Sequence, residues 1–431
     1  MDIAVLRHTT EGGVSPPLPC DLKSYLTDLK TAITMKILHI IPSVAPVRGG
    51  PSKAVLEIVR AIRNLGVEAD IITTNDDGND LLDVPLYQFI QYEQVPIQFF
   101  PRFSPLVNSV REFAFSSQLT VWLWHNASKY DLLHVHAIFS YTSTIAMAIA
   151  RFKGIPYIVR PLGQLSKWSL QQSAYKKQIY LNLIERANLK HSWAIHLTSQ
   201  QEQQEVSSLS LDTPSFILPH GLSIPVSIPN ARCRLRKLLN LADDEPIILF
   251  LSRLHPKKGL DYLIPALGKL THHRFTFVLA GSGDKKYEAE IESLLFANGM
   301  RDRTHLPGFV TGDIKNLLIQ GSDLFALTSH AENFGIAVLE TLAVGVPVLL
   351  TPGVALAAEV QQHQLGYVTQ LDVLAIASAI EHYLTHPHEV QNMGDRARQF
   401  ILKTYTWDKI STELVLLYSS ILNKKFRSNL T

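Results

Sequence analysis

Cysteine is almost missing from this chain. Its 431 residues contain two, Cys20 and Cys233, far apart in sequence. That speaks against a disulfide framework or a thiolate metal cluster, and it fits a reducing cytoplasm. No apolar run approaches the roughly 20 residues a helix needs to span a bilayer. The N-terminus has no charged start followed by an apolar core, so no signal peptide is read there. Neither sign of charge prevails. The formal net charge is +2, too small for the field of a nucleic-acid binder. Low-complexity tracts are missing too. No acidic pair ends a strand-like run, so no metal is expected. Asp76, Asp77 and Asp80 read as solvated charges of a polar loop. What is present is an ordinary globular composition, 46% hydrophobic and 18% charged, with length for two domains.

Residues 1–34 differ in pattern from the rest of the chain. Pro16-Pro17-Leu18-Pro19 interrupts any element. This stretch is expected to be a disordered extension or the product of an upstream start codon. The other reading is a genuine arm with a short helix over Leu22–Leu29. Met35-Lys-Ile-Leu-His-Ile-Ile-Pro42 then begins abruptly as a buried strand. From Ile37 onward strand and helix patterns alternate, the signature of a parallel α/β sheet. Strands are predicted at Ile37–Ile41, Val67–Thr73, Leu132–His136, Tyr157–Arg160, Ala194–Thr198 and Phe216–Leu218. A helix over Ser52–Leu65 starts behind Pro51, a favoured first position. His220–Asp244 reads as a connection between domains. The second half repeats the plan, with strands at Ile247–Leu251, Phe275–Ala280, Asp323–Thr328 and Val346–Leu350. Two Rossmann-like domains are therefore expected, 35–228 and 229–406, followed by a helix and tail over 407–431.

In open parallel sheets, ligands bind beyond the carboxyl ends of the strands. The polar residues worth suspicion fall there in both halves, which predicts a cleft between the domains. Gly49-Gly50 follows the first strand, and His136 and Arg160 end two others. Arg253 and Lys258 follow Ile247–Leu251, and Gly281-Ser282-Gly283 follows Phe275–Ala280. Most informative is Ser329-His-Ala-Glu-Asn-Phe-Gly-Ile-Ala-Val-Leu-Glu340. It runs from a buried strand through a turn at Gly335 into a helix. Free N–H groups and the helix dipole make such a turn an anion site. Glu332 and Glu340 frame it, and carboxylates there suit sugar hydroxyls better than phosphates. The stretch reads as a cradle for a nucleotide-sugar. On spacing alone, two such glutamates would be surface charges.

Arg253 and Lys258 sit beside a helix start, where a structural cation is disfavoured unless an anion lies between. Arg brings a planar fork for phosphate and Lys a point charge. Gly49-Gly50 allows close backbone approach to a phosphate. Gly281-Ser282-Gly283 is nearly as well explained by a plain turn. A lone His such as His136 is more often packed than catalytic. His134 is read as lying on the other face of that strand, in a structural role. Lys167, Trp168, Tyr175, Lys176 and Lys177 interleave aromatic and basic residues. That is an acceptor-side or membrane-surface helix, or an amphipathic helix with an ordinary solvated face.

The Glu332 to Glu340 stretch resembles the E-x7-E motif of retaining glycosyltransferases of family 4, which have the GT-B fold. The resemblance runs from about Met35 to the C-terminus, with Thr341 where the family usually has Ala. It implies a final helix that crosses back to the first domain. It implies that Glu332 contacts the transferred sugar and Glu340 the ribose, and that Arg253 and Lys258 clamp the diphosphate. Gly49, Gly50, Asn333, Phe334, Gly335 and Ile336 then line the donor site. Leu306-Pro-Gly-Phe-Val310 resembles the segment that holds the base through its backbone, and His136 falls near the transferred sugar. The activity implied is transfer of a hexose to a glycan or lipid-linked acceptor with retention. It would need no cofactor and no metal, since Arg253 and Lys258 stabilise the leaving diphosphate. The protein would work in the cytoplasm, with peripheral contact to the membrane's cytoplasmic face and no nucleic-acid partner. Rival readings are a GT-B phosphorylase or epimerase, and a non-catalytic nucleotide-sugar binder. No site for a lysine-bound pyridoxal phosphate is legible. No buried nucleophile pair points to double displacement.

Overall fold

The computed structural model describes residues 35–172 and 174–428. The expectations for residues 1–34 lie outside that range. The chain forms two units. One holds the chain up to Leu197, with Val206–Leu218 and the segment from Ser411. The other holds Thr198–Glu205 and Pro219–Ile410.

In the first unit, chain order gives β1 (Lys36–Ile40), β2 (Glu68–Thr74), the short pair β3 (Asp76–Asp77) and β4 (Asp80–Leu81), then β5 (Phe89–Tyr92) and β6 (Val95–Phe100). These are followed by β7 (Leu132–His136), β8 (Tyr157–Arg160), β9 (Ala194–Leu197) and β10 (Ser215–Ile217). Eight form one sheet in the order β10-β9-β8-β7-β1-β2-β6-β5. All its pairings are parallel except β5 with β6. The order reverses between β1 and β7, and that point is where a doubly wound sheet opens a crevice.

Alternation along these strands gives the sheet two different faces. Leu38, Ile40, Leu133, Val135, Tyr157, Val159, Ile195 and Leu197 form one apolar core. The opposite face carries His39, His134, His136, Arg160 and His196, all buried. Tyr418 of the last helix, Trp407–Ser428, bonds to this face through its hydroxyl. That helix therefore belongs to the first unit from Ser411 onward.

The antiparallel hairpin β5–β6 was not legible in the sequence. Its turn is Glu93-Gln94, both with positive φ (47° and 65°). Such turns usually announce themselves with Asn-Gly or Asp-Gly, and here ordinary residues take the strain. Asp76 also corrects the sequence reading. It is buried, not solvated, and accepts from Arg48 (Nε, 2.7 Å) and from Arg102. A buried carboxylate must be paired, and two guanidiniums serve it.

The second unit contains β11 (Ile247–Leu251), β12 (Thr276–Ala280), β13 (Thr304–Gly308), β14 (Leu324–Leu327), β15 (Val348–Leu350) and β16 (Gly366–Val368). They form an all-parallel sheet in the order β13-β12-β11-β14-β15-β16. The central strands β11, β12, β14 and β15 are almost wholly buried, as expected when helices cover both faces, whereas the edge strands β13 and β16 are partly exposed. The order reverses between β11 and β14, giving this sheet its own switch point. The stretch 220–244 is more than a connection. It holds the helix Ala231–Leu238, whose Leu235 is buried and whose Arg236 donates to Asp323 at 2.6 Å.

Candidate active site

Glu332 and Lys258 approach each other because their strands are neighbours. β11 and β14 pair side by side at the switch point, so the loops leaving their carboxyl ends are adjacent. The β11 loop ends in the turn Pro256–Lys258 and enters the helix Leu260–Gly268 through Gly259. Gly259 has φ +67°, and a Cβ there would lie 1.9 Å from the Thr328 carbonyl oxygen. Only glycine permits this contact. The Thr328 hydroxyl also donates to the Gly259 carbonyl at 3.0 Å, and His330 N–H donates to the Lys257 carbonyl at 2.9 Å. Lys258 is thereby fixed beside the β14 loop, where its ammonium donates to Glu332 Oε2.

Glu332 is pinned from the other side. Its N–H donates to the Gly353 carbonyl at 2.7 Å, and its carbonyl accepts from Ala355 N–H at 3.0 Å. Burial pushes its carboxyl up. The charge and hydrogen bond of Lys258, the charge of Lys257 and the Phe334 N–H outweigh that, and its pKa lies below the ordinary 4.5. The carboxylate is ionised at neutral pH. Gly335 has φ +87° and caps the helix Ile336–Ala343 with no side-chain partner. The first N–H groups of that helix face the turn, as a helix start requires. Phe334 is buried against His220, ring centroids 4.9 Å apart. The Asn333 amide donates to Thr198 Oγ1 at 3.0 Å, within the same unit. Glu340, on the helix, is buried and accepts from Lys315 at 2.7 Å. Lys315 went unnoticed in the sequence, where a lone Lys gives no sign of its partner.

Arg253 lies exposed in the β11 loop, and Val310 is half-buried after β13, packed on the unit's core. Gly281 and Gly283 serve backbone packing. A Cβ at either would meet the carbonyl oxygen of Ser252 (1.9 Å) or Leu254 (2.3 Å).

In the first unit, β1 and β7 flank the other switch point, with Gly49-Gly50 after β1 and His136 at the end of β7. Gly49 has φ +76° and open space around its Cβ position, and Gly50 begins the helix Gly50–Asn64. His134 and His136 share one face, contrary to the sequence reading. Residues two apart on a strand point the same way, and these rings stack 4.4 Å apart. His136 is buried and its Nε2 lies 2.9 Å from His39 Nδ1. His134 Nδ1 lies 2.6 Å from the Tyr418 hydroxyl and its Nε2 lies 3.3 Å from His196 Nδ1. Burial, then Arg160, holds His39 down to about 3. Burial also holds His134 and His196 well below 6.5. These imidazoles are neutral at physiological pH. The turn after β7 is strained, with Ala137 at φ +66° and Phe139 at +55°. Such strain gathers at functional sites, and no sequence pattern announces it.

The comparisons with known proteins fit this geometry. Residues 49–217 match the glycosyl transferase 4-like domain and residues 232–400 the glycosyl transferases group 1 family. The chain belongs to the glycosyltransferases built from these two domains, and its fold is GT-B. Over 308 residues it is 28% identical to an uncharacterized glycosyltransferase of Methanocaldococcus jannaschii, covering 67% of this chain and 75% of that protein. It is 24% identical to a D-inositol 3-phosphate glycosyltransferase of Xylanimonas cellulosilytica, over 88% of this chain and 93% of that one. It is 28% identical to a GDP-mannose-dependent phosphatidylinositol monomannoside mannosyltransferase of Mycobacterium tuberculosis, over 43% of this chain and 50% of that one. The structure of Anabaena HepE in complex with UDP and glucose superposes with a TM-score of 0.71 at 19% identity, covering 90% of this chain and all of that one.

Proposed function

We propose that the chain moves a hexose from a nucleotide-sugar to a glycan or lipid-linked acceptor, with retention and without a metal. The observation that carries this is the Lys258–Glu332 ion pair at the second unit's switch point, beside the free helix start behind Gly335. A donor diphosphate arriving there competes for Lys258 and leaves Glu332 free to face the sugar. Cleavage puts charge on the diphosphate, met by Lys258, Arg253 and the N–H groups after Gly335. Glu332 supports the positive character that develops on the sugar. Glu340, held by Lys315, accepts from ribose hydroxyls, and the backbone near Val310 holds the base. Asn333, Phe334 and Ile336 shape the turn. Gly49 and Gly50 offer backbone to the phosphates. His136 serves the sugar side. The acceptor hydroxyl attacks on the face the phosphate leaves, and the departing phosphate takes its proton.

The GDP-mannose-dependent phosphatidylinositol monomannoside mannosyltransferase among the relatives supports both a nucleotide-sugar donor and a lipid acceptor. An exposed apolar stripe, Tyr175, Ile179 and Leu183, lies beside Lys176 in the first unit. It supports peripheral contact with an acidic bilayer surface. The test is hydrolysis of a panel of UDP- and GDP-sugars in excess EDTA, with the anomer of the released sugar followed by NMR. Slow release of sugar with retained configuration is expected. No release from any donor favours a non-catalytic binder. Loss of activity in EDTA that Mg²⁺ or Mn²⁺ restores overturns the metal-independent reading.

A further inference from the structure

A second side-chain cluster sits away from the candidate active site. His272 and His273 lie in the segment that leads into β12, before the strand's first residue. Glu381 lies in the last turns of the helix Val373–Thr385. His272 Nε2 is 3.7 Å and His273 Nε2 is 3.4 Å from the same oxygen, Glu381 Oε1. The three donor atoms all lie within 4.8 Å of one another. Bonds of about 2.0–2.2 Å to a tetrahedral zinc put neighbouring donor atoms roughly 3.3–3.5 Å apart. The distances to Glu381 therefore already approach two edges of such a tetrahedron.

We propose that His272, His273 and Glu381 bind a divalent borderline metal of the zinc class, with water in the fourth position. Imidazole and carboxylate are the donor set this class favours. The loop is held in place before any metal arrives. Arg303 Nη1 donates to the His273 carbonyl at 2.7 Å, Arg274 Nε donates to Glu245 at 3.1 Å, and Phe275 is buried. Preorganised ligands bind a metal at less cost in ordering. The buried trio His39, His134 and His136 also brings its donor atoms together. It is a poorer metal site, because His39 and His136 bond to each other at 2.9 Å and Arg160 shares their face. The surface cluster lies at the amino end of β12, whereas Lys258 and Glu332 lie beyond carboxyl ends. The metal would thus tie the loop to the helix Val373–Thr385 and take no part in sugar transfer.

The test uses the full chain stripped with EDTA and dialysed. It is titrated calorimetrically with ZnCl₂, then with CoCl₂ to read the visible absorption of a tetrahedral cobalt centre. One equivalent of Zn²⁺ is expected to bind and to raise the melting temperature. Losing even an outer-shell partner of a metal ligand costs about 10–100-fold in affinity. His272→Ala, His273→Ala and Glu381→Gln should each cost at least about tenfold, and Glu332→Gln nothing. No saturable binding overturns the proposal, as does binding that survives in the His272→Ala/His273→Ala double variant.

Discussion

Glu332 and Glu340 carry the same group in different surroundings, and that difference sets what their removal should do. Glu332 sits in a turn between backbone pins, its charge matched by a lysine that a phosphate can draw away. Glu340 is buried on a helix with Lys315 as partner. Glu332→Gln should lower kcat with donor KM less changed, the mark of an interaction made mainly in the transition state. Glu340→Gln should mainly raise donor KM. Steady-state kinetics on both, after circular dichroism confirms folding, decide this. Identical profiles would refute the division of labour. Lys258→Ala removes a charge-assisted contact of about 1.5–3 kcal/mol, or roughly 10- to 150-fold in kcat/KM. Near wild-type kcat/KM would remove Lys258 from the clamp. Glu332 and Lys258 could be singled out in the sequence because each follows an apolar run near a glycine turn, and Glu340 because it lies on the helix entered through Gly335. Asp76 could not. Its partners Arg48 and Arg102 lie 28 and 26 residues away, and spacing gives no hint of which charges meet.

At the scale of elements, the loops are held by glycines whose reasons differ. Gly259 has both a positive φ and a carbonyl in the place of its Cβ, whereas Gly49 has the positive φ and open space. A strained φ alone costs about 1–3 kcal/mol. Gly259→Ala should therefore destabilise by more than Gly49→Ala in urea unfolding, because the clash adds to the strain. Equal losses would show that the Thr328 contact relaxes freely. Most of the parallel strands were legible as apolar runs, since burial on both faces leaves no polar alternation. The strands β6, β13 and β16 were not among those predicted, β6 carrying Pro96 and Gln98 and the other two lying at partly exposed sheet edges. The helix Pro387–Thr404 was not among the predicted elements, although Pro387 stands at its start, a favoured position.

At the scale of the whole molecule, the buried imidazoles set the response to acid. His39, His134 and His196 are neutral when folded, their pKa values lowered from 6.5. In the unfolded chain they take up protons as pH falls through about 6.5, so protons favour unfolding. Their contribution to stability is complete above that pH and shrinks below it, by at most about 1.4 kcal/mol per pH unit for each. Glu332 adds to this only at lower pH, because its depressed pKa keeps it ionised below 4.5. Melting temperature should therefore drop between pH 7.5 and pH 5. His134→Gln should flatten the slope even if it lowers stability at neutral pH. A melting temperature constant over that range would sink the prediction.

Two parallel α/β halves are written into the order of residues, because runs of buried residues alternating with helical periods admit few other packings. So is the presence of glycine turns with Glu332 and Lys258 beyond strand ends, and of Glu340 in the helix that follows Gly335. The placement of β11 beside β14, which brings Lys258 to Glu332 across 74 residues of chain, emerges only in three dimensions. Strand order depends on which edges pair, and one strand's apolar run looks like another's. The same holds for the imidazole cluster. His39, His134, His136 and His196 come from three strands, and only parallel register sets them side by side. Tyr418 joins them from 284 residues beyond His134, a contact no local pattern encodes.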